Sequence, residues 1–188
     1  MNIIIQDLIF KLNCKDSKVK SNTITDLALL LEIASAKLDT EHKICQYSTL
    51  LKNDLIMIDL TKDDEVIIVE NLKALVLDQD EMTRSLIWAI GKSEPITGIK
   101  VLLEIIENSH RIDFNDRELY QFSISLINYL PYEEDISDQN IKKLINSSNL
   151  GLWLEQVLRK SSSEISENIY TSETKEYMQL ILDLIQPY

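Results

Sequence analysis

The chain carries little that bends or staples a backbone: 3 Gly, 3 Pro and 2 Cys in 188 residues. Each hairpin of a sheet protein needs turn chemistry, so this scarcity argues against a strand-rich fold. Cys14 and Cys45 both sit beside apolar helical residues in a chain large enough to need no staple, and read as reduced thiols packed as small hydrophobes. The 2 histidines are isolated. His42, between Glu41 and Lys43, reads as an exposed helix start, and His110 falls in the polar connection "ENSHRID". No His-Glu-x-x-His, Cys-x-x-Cys, Gly-rich phosphate loop or Gly-x-Ser-x-Gly elbow occurs. No metal, no cofactor and no enzymatic activity are therefore expected.

Long apolar runs are missing too, none approaching the roughly 18–20 residues that cross a bilayer. The opening "MNIIIQDLIFKLNCKD" is interrupted by Gln6 and Asp7, and neither a basic leader region nor a small-residue cleavage site accompanies it. A cytoplasmic location without a membrane partner is the expectation. Positive charge is also short: 19 Lys and Arg face 31 Asp and Glu, a net charge of −12. Binding to phosphate backbones needs a basic surface, which disfavours nucleic acid; the net acidity reads either as a source of solubility or as attraction to a cationic protein partner.

What is present is apolar residues at helical spacing, 45% of the chain being hydrophobic. The spacing predicts about ten helices in a single domain over 1–188. They cover 2–13, 17–36 and 41–58, then "DEVIIVENLKALVL" from Asp63 or Asp64. Another helix starts at Asp80 or Glu81 and stops at Gly91, which is expected in the left-handed region. Pro95 suits the first turn of a helix running to about residue 108. Asn115 or Asp116 caps "RELYQFSISLINYL" before Pro131. Shorter helices follow at 138–147 and 150–160, then a polar loop at 161–172. A capping helix at about 173–186 closes the chain, with Tyr177, Leu180, Ile181 and Leu184 inward. Trp88 and Trp153, flanked by Leu and Ile, read as core, with anchors for a protein partner as the alternative.

Read together, these elements are antiparallel helical hairpins. Asp16, Val19, Lys20, Ile24 and Leu27 in one stretch, and Arg84, Trp88, Ala89, Ile90 and Gly91 in another, resemble the aspartate, valine, basic, alanine and leucine pattern of HEAT-like repeats. The starts at 16, 64, 80 and 116 keep no fixed period. The resemblance implies an all-α fold of stacked hairpins, a short HEAT-like α-solenoid, with an irregular helical bundle as the alternative. Such scaffolds bind proteins along their length.

The acidic clusters "DLTKDDE" and "DQDE" lack the central Gly and terminal Glu of a calcium loop, and helix capping accounts for them. Strict up-and-down alternation places Asp63, Asp64, Glu65, Glu133, Glu134 and Asp135 along one rim, and Asp78, Asp80 and Glu81 on the opposite edge. The first set is the candidate partner-binding surface. By size, charge and fold the chain is similar to bacterial immunity proteins, which implies a non-enzymatic inhibitor that blocks a cationic toxin or enzyme. The second expectation is a HEAT-like assembly factor or a protein resembling the bilin lyases.

Overall fold

The computed structural model describes residues 2–35, 58–130, 138–162 and 170–185. The described residues form nine α-helices and one short 3-10 turn, with no strand among them. In chain order the helices are α1 (Ile3–Leu12), α2 (Ser17–Ala34), α3 (Lys62–Leu77), α4 (Thr83–Ile90) and α5 (Pro95–Glu107). After the turn Ser109–Arg111 come α6 (Asp116–Ile127), α7 (Asp138–Asn146), α8 (Leu150–Ser162) and α9 (Ser172–Ile185). The helix expected over 41–58 lies outside the described residues except for Ile58.

The caps follow the sequence with two displacements, one being α4, which begins at Thr83 behind Met82, a residue that makes no side-chain cap, rather than at Asp80 or Glu81. Asn2 and Asp16 accept hydrogen bonds from the first free N–H groups of α1 and α2. Asn115 and Glu118 close a reciprocal capping box on α6, and Pro95 occupies the first turn of α5. On α3 the cap is Thr61 rather than Asp63 or Asp64. Its hydroxyl accepts from the Asp64 N–H at 3.2 Å while donating to the Asp64 carboxylate at 2.7 Å. The stop of α3 is a left-handed Gln79 with φ 55°, where Asp80 N–H bonds Leu75 C=O and Gln79 N–H bonds Val76 C=O.

Gly91 departs from expectation. Its φ is −61°, so the backbone does not require glycine there. Space does: a Cβ at Gly91 would stand 2.6 Å from Ser125 Oγ, whose hydroxyl donates to Ile87 C=O across the α4–α6 crossing. α9 is also turned relative to its expected stripe. Thr174, Met178, Ile181 and Leu182 are buried and Leu180 is exposed, because the helix docks on α6 and α8 together.

The helices contact one another in two series. One runs α2, α4, α6, α9, and the other α1, α3, α5, continuing to α7 and α8. Polar straps show the first series to be parallel. Lys20 meets Asp80 at 2.6 Å near the starts of α2 and α4, and Lys92 meets Glu32 at 3.1 Å near their ends. Asp116 accepts from Thr171 N–H at 2.8 Å, and the Tyr120 hydroxyl donates to Glu173 at 3.0 Å, joining the starts of α6 and α9. α3 and α5 are parallel too, joined by Glu65 to the N–H of Glu94 and by Lys73 to Glu104. Between the series lies the core, with Ile68, Leu72, Leu86, Ile90, Leu102, Phe122 and Leu126 fully buried. Each such side chain contributes about 1.5–3 kcal/mol of burial, which far outweighs the exposed ion pairs.

Candidate functional site

The rim of carboxylates divides once the side chains are placed. Asp63 is exposed at the first turn of α3. Asp64 and Glu65 are 5% and 6% exposed and are engaged internally. Asp64 completes the α3 capping box, and Glu65 accepts from the N–H of Glu94 at 2.6 Å, fixing the entry to α5. Acids in a first turn serve the backbone before they serve a partner. Glu133, Glu134 and Asp135 lie outside the described residues. On the opposite edge Asp80 is held by Lys20, Glu81 accepts from Ser17 at 3.2 Å, and Asp78 is exposed.

The turn into α5 is built around Tyr129, a residue the sequence did not single out. Its hydroxyl lies 2.6 Å from Ile90 C=O and 3.1 Å from Ser93 Oγ, at a position 3% exposed. Gly98 makes room for it: a Cβ there would stand 2.2 Å from the phenol oxygen. Burial, followed by the nearby Glu65 and Glu94 carboxylates, pushes the phenol far above its usual range, so it is a fixed hydrogen-bonding post. A glycine inside a helical pattern was the available signal, since it marks close approach of a neighbour.

Trp153 is half-buried, with Phe122 5.5 Å away on one side, and it borders two open cavities of about 260 and 300 Å³. Ser109, His110 and Gln156 line both. Asp113, Lys160 and Tyr170 line the first, and burial together with Asp113 and Asp116 raises the Tyr170 pKa, keeping its proton on. His110 is exposed, and Cys14 is a half-buried free thiol. His42 and Cys45 lie outside the described residues. Among the described residues no three His, Cys, Asp or Glu side chains are grouped to hold a metal ion, and no helix is long and apolar enough to cross a membrane.

A third surface spans the outward side of the α4, α6 and α9 series. Trp88 is half-buried rather than core, and the Lys92 ammonium lies 5.6 Å from its ring. The α4–α6 bonds from Ser125 and Tyr129 place Trp88 level with Ile124, and the Tyr120 contacts to Glu173 and Tyr177 place Ile124 level with Leu180. Trp88, Ile124 and Leu180 therefore lie at one level on three parallel helices, none of them fully buried, and make an apolar band with Arg84, Gln121 and Glu176 one turn away. This face can bury apolar surface against another protein, whereas the cavities beside Trp153 are shallow and open. No family model, curated protein or solved structure matches this chain.

Proposed function

We propose that this chain is a short HEAT-like solenoid that binds a protein partner without turning over a substrate, and that its partner is cationic. The observation that carries the reading is the pair of parallel helix series, strapped start to start and end to end by Lys20–Asp80, Lys92–Glu32, Asp116–Thr171 and Lys73–Glu104. Equivalent positions joined in the same way are what stacked hairpins require, and stacking leaves one side of each series for recognition. The net charge of −12 selects the sign of the partner.

In this reading the acidic field comes from carboxylates dispersed over the surface, with Asp63 as the exposed member of the expected rim among the described residues. The protein then acts as a blocking inhibitor in the manner of an immunity protein, covering a cationic site on its partner. The test is native affinity capture followed by reconstitution. The captured protein should be basic, form a stoichiometric complex and lose its own activity in that complex. Capture of acidic proteins alone, or turnover by the purified chain that vanishes on changing His110 or one acid, refutes it.

A further inference from the structure

We infer that the α4–α6–α9 face is a contact between two copies of this chain, related by a twofold axis running along α6. Its chemistry is self-complementary. A twofold axis parallel to the helices reverses the order of the series and keeps each level, so α4 of one copy lies over α9 of the other. Trp88 then meets the second copy's Leu180, and Ile124 meets its own equivalent on the axis. Leu180 is 41% exposed, an open apolar surface waiting for such a partner.

The charges agree with the same operation. Arg84 is exposed on α4 with no ion pair among the described residues, and Glu176 is exposed on α9, likewise without one. One turn before the apolar band, the operation brings them together twice. Lys92, which keeps its bond to Glu32, comes level with Asp183, which accepts from Gln179, one turn beyond the apolar band. The alternative twofold, across the helices, sets α4 on α4 and opposes Arg84 to Lys92 and Glu176 to Asp183. Electrostatics therefore choose one arrangement, since facing like charges suppresses the other.

Size sets the strength. Three helices at about 9–10 Å spacing, over about 15 Å of their length, offer on the order of 500 Å² per copy. Two copies bury roughly 1,000 Å², the low end of specific interfaces, so a weak, concentration-dependent dimer is expected.

The test is sedimentation equilibrium of the full chain from about 5 to about 300 µM, a range that brackets such a dimer. Wild type should self-associate. Arg84→Glu puts acid on both sides of the contact and Glu176→Arg puts base on both sides, and each alone should weaken association about tenfold. Mixed in equal amounts, the two variants should form a heterodimer at least as tight as wild type, which also shows that both are folded. Wild type that stays monomeric at the highest concentration overturns the inference, and so does a heterologous partner holding this face while the chain alone remains monomeric. Variants that dimerise as wild type does, or a mixture that fails to recover, overturn it equally. Capture of a cationic partner is read separately, since it does not require this face to be occupied.

Discussion

Gly98→Ala is the sharpest perturbation of the fold, because intrinsic propensity and packing predict opposite signs. Inside α5, alanine in place of glycine should gain about 0.5–1 kcal/mol of helix stability. Packing reverses this. The new methyl would stand 2.2 Å from the Tyr129 hydroxyl oxygen, 2.3 Å from its ring carbon and 2.6 Å from Ser93 Oγ, all in a buried site. Tyr129 must withdraw, breaking its bonds to Ile90 and Ser93. Overpacking costs about 1–3 kcal/mol and the lost buried hydrogen bonds about 1–3 more, so after the helix gain the net change is a destabilisation of about 1–5 kcal/mol. Tyr129→Phe alone should cost about 0.5–1.5 kcal/mol, since it removes one hydrogen bond to the Ile90 carbonyl, which keeps those from the Ser93 hydroxyl and N–H. The double variant should cost less than the sum, because displacement of the ring has already broken the bonds that Phe removes. Urea unfolding followed by circular dichroism measures all three. A neutral or stabilising Gly98→Ala, or strict additivity, refutes the placement of the phenol against Gly98.

Trp88→Ala should cost about 1–3 kcal/mol, less than full burial would give, because the ring is half-buried on the α4 surface; a thermal melt that loses 4 kcal/mol or more, well above that estimate, would place the indole in the core. Gln79→Gly should stabilise by about 0.5–1 kcal/mol, since φ 55° suits glycine and strains glutamine, and a loss of stability by the same assay would show that the Gln79 side chain matters more than its backbone. Asp26 is 6% exposed, and burial raises its pKa despite the opposing Lys11 ammonium. The stability it gives as a neutral acid is full below the ordinary aspartate value of 3.8 and is lost as pH rises through the higher native value. Asp26→Asn should therefore gain about 1 kcal/mol at neutral pH and flatten the profile above pH 4; an unchanged profile, followed by urea midpoint against pH, contradicts the burial.

Helices were readable where local signals are complete. Asn115, one of the two caps offered for α6, and Pro95 in the first turn of α5 stand as read, whereas the Glu118 half of the capping box and the Glu94 cap were not read. Where one residue type serves two purposes, the sequence reading slipped. The acids after Thr61 looked like caps and a rim, but Asp64 answers Thr61 and Glu65 crosses to the N–H of Glu94, a contact 29 residues away. Gly91 was assigned a backbone role, whereas its cause is Ser125 on another helix. The inward stripe of α9 was set by counting apolar residues, while the helix is oriented by docking on two neighbours, which buries Thr174 and exposes Leu180. The apolar band of Trp88, Ile124 and Leu180 was invisible for the same reason. It exists only after three helices are laid side by side in register.

The most direct test of protein binding driven by charge is the association rate of the captured partner as ionic strength rises. Between about 0.1 M and 1 M salt the screening length falls from about 10 Å to about 3 Å, and long-range attraction to a chain of charge −12 should be largely extinguished. A rate constant that falls at least about tenfold over that range, with dissociation changed much less, is the predicted result. A rate independent of salt, or one that rises with it, would contradict the account.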